Sequence, residues 1–211
     1  GDNISWVRTG GFDPNPGTSE NSKYSAYAEV AFDKRSQEPR TYWVTDLVRF
    51  RAQIEEQATF CAERARERGL ALLNIEDNAA NQWLLQVNTL RAAAMSYRIK
   101  GHNTNVRNKY DPQVGVPAMA GRIRAGRIRF PYHCQVCRER TETVIGEFLA
   151  YPQGATSDML MALWMGILAA ETFVAESRSG VIEPQLSPFI TGRGIDIATL
   201  DRFYPPKKMV S

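Results

Sequence analysis

The sequence predicts an α/β fold with a mixed sheet flanked by helices, and three observations carry that expectation. Three strand-like stretches open the chain, a long amphipathic stretch follows them, and a short aliphatic run, Leu70 to Ile75, comes directly after Gly69. Buried parallel strands lose the alternation of half-exposed ones, so that run reads as a central strand. With 211 residues, 43% of them hydrophobic, the chain can bury one sizeable core, and one main domain is expected.

Ile4 to Phe12 is predicted as the first strand, ended by the turn residues Asp13, Pro14, Asn15, Pro16 and Gly17. Tyr24 to Phe32 is the second, followed by a polar turn around Lys34 to Pro39, and Tyr42 to Phe50 is the third. Two short turns favour an antiparallel meander. Gln53 to Arg68 has good helix formers and apolar residues at Ile54, Ala58 and Cys61, which predicts an amphipathic helix. After the central strand, Gln82 to Leu90 resumes helical composition. From Ser96 to Pro131, glycines at 101, 115, 121 and 126 argue against long helices, leaving Pro117 to Ala125 as a short one. Asp158 to Ser177 is apolar and proline-free, a final buried helix. Its apolar heart, Met159 to Ala170, is shorter than the roughly 20 residues a bilayer span needs, so no membrane role is expected. Prolines at 184, 188, 205 and 206 then read as an extended tail, dividing the chain into a domain over 1–179 and a tail over 180–211.

The net charge of +3 hides an uneven distribution. Residues 91–140 hold eleven Lys or Arg against two acids, which leaves the remaining segments jointly at minus 6. A localised surface for a polyanion follows. Arg98, Lys100, Arg107 and Lys109 form one candidate phosphate-contacting group, and Arg122, Arg124, Arg127 and Arg129 another. Contact is expected mainly to the nucleic-acid backbone, because no row of base-reading residues is evident. Three cysteines and no charged, apolar leader fit a reducing compartment and argue against a disulfide scaffold. A Gly-x-x-x-x-Gly-Lys phosphate loop is missing, so no ATPase site is expected.

Three carboxylates occupy suggestive positions: Asp13 after the first strand, Glu76 after the central strand, and Asp158 at the start of the last helix. A meander, a helix, a strand and a late acid-bearing helix resemble an RNase H-like sheet, in which acids distant in sequence meet. Hard divalent cations need such anionic oxygens held close together. Each acid also has a plain reading: an Asx turn at Asp13, a strand end at Glu76, a dipole-favoured helix start at Asp158.

The fragments "FDPNPG", "TYWVTDLVRFRA", "LALLNIEDNAANQWLLQ", "HNTNVRNKYDPQVGVPAM", "IRAGRIRFPY" and "GEFLAYPQGATSDMLMALW", in that order, resemble the nuclease domain of tailed-phage terminase large subunits, particularly of phages infecting actinobacteria. The resemblance spans about residues 4 to 175. It implies an RNase H-like nuclease that cuts double-stranded concatemeric DNA during genome packaging in the cytoplasm of an infected bacterium. It further implies catalysis by Asp13, Glu76 and Asp158 holding two Mg²⁺ or Mn²⁺ ions, with Asp46 a possible additional acid. Many relatives carry Asp-Asp-x-x-Asp-Ala where this chain has Ser157, Asp158, Met159, Leu160, Met161 and Ala162. The packaging ATPase domain is expected on another chain, with the portal and a small terminase as inherited partners.

Other readings stay open: a noncatalytic DNA-binding or packaging-assembly module, a zinc-stabilised structural domain, and a recombination nuclease of similar fold. "HCQVC" gives Cys134 and Cys137 the spacing of a zinc knuckle beside His133, but closed structural zinc usually needs four ligands. With no second pair, zinc is disfavoured. Cys61, Trp83 and Trp164 read as core residues.

Overall fold

The computed structural model describes residues 5–15, 17–19, 23–77 and 82–179. The expected tail over 180–211 lies outside the described residues, as does the side chain of Trp83. Three strands open the chain, β1 (Trp6–Asp13), β2 (Ser25–Asp33) and β3 (Tyr42–Phe50), followed by α1 (Ile54–Glu67) and β4 (Leu72–Glu76). The expected Gln82–Leu90 helix divides at Val87 into α2 (Gln82–Gln86) and α3 (Asn88–Ser96). Then come β5 (Ile99–His102), α4 (Val106–Lys109), α5 (Val116–Arg124), β6 (Ile128–Arg129), α6 (Gln135–Ala150) and α7 (Asp158–Arg178).

The strands form one sheet in the order β5-β4-β1-β2-β3-β6. β2 runs antiparallel to β1 and β3, while β1–β4, β4–β5 and β3–β6 are parallel pairs. The core order β3-β2-β1-β4-β5, with only β2 reversed, is RNase H-like. The passage from α1 into β4 has a local cause. Gly69 takes φ 58°, and the Gly69 and Leu70 amides donate to the Arg66 and Ala65 carbonyls, a glycine stop that ends the helix and turns the chain into the sheet.

Each face of the sheet has its own core. On one face α1 and α3 cover Phe12, Tyr27, Val48, Leu73 and Ile75. On the other, α7 lies against β1, β2 and β4 over Ala28, Val30, Phe32 and Val44. With 21 residues, α7 exceeds the expected apolar segment and is long and apolar enough to cross a membrane, yet most of it is buried within this fold. It is a core helix. Its seat depends on glycine: a Cβ on Gly11 would run into the Ala162 carbonyl and the Gly166 amide, so helix and strand backbones touch where neither carries a side chain.

Candidate active site

The two-residue period of a strand decides which side chains face α7. On β1, the Thr9 hydroxyl donates to the Gly166 carbonyl at 2.9 Å and Gly11 touches the α7 backbone, so Asp13, next in the same alternation, faces α7 too. On β4, the Asn74 side-chain amide donates to the Met165 carbonyl at 3.4 Å, and Glu76 follows two residues later. β1 and β4 are parallel with Phe12 opposite Ile75, which sets Asp13 beside Glu76 at the carboxyl ends of two central strands. Asp158 begins α7 above them. The three acids converge there although 145 residues separate the first from the last.

Their electrostatics follow from this crowding. Asp13 is pushed well above the usual carboxylate range, first by burial, then by the Glu76 carboxylate and the hydrogen bond the two share, with Asp158 adding to it and Lys109 opposing. Asp158 is raised mainly by burial, against the pull of Lys23, the Tyr24 amide that donates to it, and Arg49. Beside Glu76 in the β4–β5 register stands His102, whose proton affinity burial lowers and Glu76 partly restores. Its ring packs edge-on against Trp164 at 5.5 Å, and the indole donates to the Val114 carbonyl at 2.8 Å. Trp164 is a core anchor.

A fourth acid, not anticipated from sequence, adjoins the group. Glu147 of α6 accepts from the Leu160 amide at 2.9 Å and from the Thr156 hydroxyl at 3.3 Å, which holds the first turn of α7 in place. Burial raises its pKa first, and Asp158 adds to the rise. No sequence pattern marks it, since Glu147 lies on a different helix from the turn it caps. Lys23, Arg49 and Lys109 are the cations facing these acids.

Asp46 lies elsewhere. It sits on the α1 side of β3, between Arg64 at 3.4 Å and Arg140 at 3.5 Å. Asp77 turns from Glu76 toward Gly101 and Leu85. Of the basic candidates, Arg98 and Lys100 pair with Glu176 and Arg122 with Glu171, both acids near the far end of α7 from Asp158. Arg127 donates to the Thr41 hydroxyl at 3.3 Å. Arg107, Arg124 and Arg129 are exposed, and Lys109 is the member of the set that reaches the acids.

The cofactor expectation requires correction. Two Mg²⁺ or Mn²⁺ ions on Asp13, Glu76 and Asp158, with zinc disfavoured, do not match the donor geometry. The group of His, Cys, Asp or Glu residues among those described that brings three ligand atoms within 4.8 Å of one another is His133, Cys134 and Cys137. Its nitrogen and sulfur donors suit zinc, whereas carboxylate oxygens suit the harder ions. Within the acid group, Asp13 and Glu76 share a hydrogen bond and Asp158 accepts one from the Tyr24 amide.

No known family model matches the chain, and neither does any curated protein. Among solved structures, Thermus thermophilus RuvC is 14% identical, covering 84% of this chain and 99% of its own, with a TM-score of 0.46. The T. thermophilus RuvC complex with a Holliday junction substrate gives 12% identity over 84% and 99%, TM-score 0.43. The Mos1 mariner paired end complex with Mn gives 10% identity over 84% and 54%, TM-score 0.26. The assignment of the fold is carried by the strand order and register.

Proposed function

We propose that this chain is a metal-dependent DNA-cutting enzyme in which Asp13, Glu76 and Asp158 are the catalytic carboxylates. The supporting observation is their convergence at the carboxyl ends of the parallel strands, where α/β folds commonly present chemistry. Acids packed against one another destabilise the ionised site, and an approaching phosphodiester adds further negative charge. Within the chain's own residues, Asp13 and Glu76 share a hydrogen bond, Glu147 fixes the start of α7, and Lys109, Lys23 and Arg49 offset the acids.

Double-stranded DNA is the proposed substrate, and the exposed Arg107, Arg124 and Arg129 are the proposed backbone contacts. Two finer roles share this chemistry. Motif order favours cleavage of concatemeric DNA in phage packaging, with an ATPase, portal and small terminase as partners. A recombination nuclease would instead prefer branched DNA. Cleavage of supercoiled plasmid, linear duplex and a four-way junction separates them. Chelation should stop cleavage, as should Glu76→Gln, with unfolding temperature unchanged. Full activity in both Asp13→Asn and Glu76→Gln would reject the site, and DNA binding without any cleavage would favour a noncatalytic module.

A further inference from the structure

The cluster at the start of α6 stands apart from the acids. Glu147, which reaches the acid group, lies twelve residues along α6 from Gln135, about 18 Å at helical rise. The cluster is also built locally. Cys134 is the N-cap of α6, its sulfur accepts from the Cys137 amide at 3.1 Å, and His133 Nε2 lies 3.4 Å from Cys137 Sγ. The Thr141 hydroxyl donates to the Pro131 carbonyl at 3.0 Å, which folds the entering segment back onto the helix. Cys134 and Cys137 are joined as a disulfide, with their Cα atoms 5.2 Å apart, while Cys61 is buried in the α1 core.

These residues offer two mutually exclusive bonding states. A sulfur in a disulfide has no thiolate to give a metal, and a thiolate consumed in disulfide formation is lost to the metal. We propose that, with Cys134 and Cys137 reduced, His133, Cys134 and Cys137 bind one zinc ion, and that disulfide formation between the same cysteines expels it. Three protein ligands leave the fourth tetrahedral position to water or a small thiol. The partly exposed site admits both metal and oxidant.

The switching step balances with a low-molecular-weight disulfide as oxidant. One cysteine thiolate attacks it, forming a mixed disulfide and releasing one thiol. The second cysteine thiolate then displaces the other thiol and closes the Cys134–Cys137 bond. Two electrons pass from the protein sulfurs to the reagent, its S–S bond breaks, and Zn²⁺ leaves as its thiolate ligands are consumed. Because the first turn of α6 is held in either state, the site clamps the entry to the helix that carries Glu147.

The test uses the full chain, reduced and stripped of metal, titrated with Co²⁺ and then Zn²⁺. Thiolate-to-cobalt charge-transfer absorption should appear at one equivalent and vanish when zinc displaces cobalt. Cys134→Ser and Cys137→Ser should each weaken binding at least about 100-fold, and His133→Ala about 10-fold or more, since losing even a residue that only supports a ligand costs about 10- to 100-fold in metal affinity. Cys61→Ser should change nothing. Adding oxidised glutathione to the zinc form should release one zinc per chain as two protein thiols disappear. Absence of the cobalt band in the reduced parent, its persistence in the double serine variant, or retention of zinc after Cys134 and Cys137 oxidise would each overturn the proposal. These readouts are independent of DNA cleavage, so failure here leaves the nuclease reading intact.

Discussion

The two faces of the sheet bury acids in opposite ways. Under α1, Glu29 is fully buried with Arg68 at 3.1 Å and Arg8 at 3.7 Å, and Asp46 lies between Arg64 and Arg140. The Tyr27 hydroxyl donates to Glu29 at 3.0 Å and the Thr45 hydroxyl donates to it at 2.7 Å, so carboxylate oxygens there are met by cations and hydroxyls. Under α7, Asp13 meets the Glu76 carboxylate with Asp158 adding to the repulsion, and Asp158 also raises Glu147, while Lys23, Arg49 and Lys109 offset only part of this. Acids compensated by guanidinium groups serve the fold. Acids set against each other at the end of parallel strands are maintained at a cost in stability, which is the usual mark of a functional site.

The comparison breaks most visibly at Asp13. Asp13→Asn should lower plasmid cleavage by about 10³-fold or more, equivalent to about 4 kcal/mol of barrier, while leaving the unfolding midpoint level or higher because a repelling charge is gone. Parental cleavage rates would remove Asp13 from the site. On the other face, Arg64→Met should reverse that pattern. Removing one cation from a buried pair costs about 3 kcal/mol, and Asp46, which burial already holds above its usual range, should be raised further. Denaturant titration should show the loss, with cleavage per folded molecule unchanged.

Acidity sharpens the contrast. Folded Asp13 holds its proton more tightly than the unfolded chain does, so its contribution to stability is complete below about pH 4, the ordinary carboxylate range. That contribution is lost as pH rises through the raised folded value. The parent's unfolding temperature should therefore drop over this window by more than that of Asp13→Asn, whose profile should be flatter. Identical profiles would mean that the acids do not repel as described. The smallest expected effect concerns DNA binding. Arg124→Ala with Arg129→Ala should reduce the slope of log affinity against log salt by about 2, one unit for each phosphate no longer neutralised. Arg98→Ala with Lys100→Ala should leave the slope nearly unchanged, because both side chains are engaged with Glu176.

What could be read from sequence follows physical period and length. β1, β2, β3, α1, β4 and α7 are legible because each carries its own apolar pattern, and the positions of Asp13, Glu76 and Asp158 at element ends come with them. β5 contains one apolar residue in Ile-Lys-Gly-His and exists through backbone pairing to β4, which no local pattern encodes. α6 begins Gln-Val-Cys-Arg-Glu-Arg, a polar first half that hides a helix packed through Val144 and Phe148. The ion pairs of Arg98, Lys100 and Arg122 connect residues 49 to 78 positions apart, so a basic run looks free when part of it is already paired. Counting cysteine pairs disfavours zinc, yet His133, Cys134 and Cys137 lie within five consecutive residues and are drawn together by one helix start.

The close backbone approach of Gly11 to Gly166 also sets a mechanical tolerance. With the Gly11–Gly166 contact as the fulcrum of a tilt of α7, Asp158 would ride eight residues away, on an arm of about 12 Å. A tilt of about 5° around that pivot sweeps the carboxylate through about 1 Å, a displacement that can lower a reaction rate about 100-fold. A methyl group added at Gly11, on the strand beneath the helix, would therefore act at a distance, by levering the acid off its two partners.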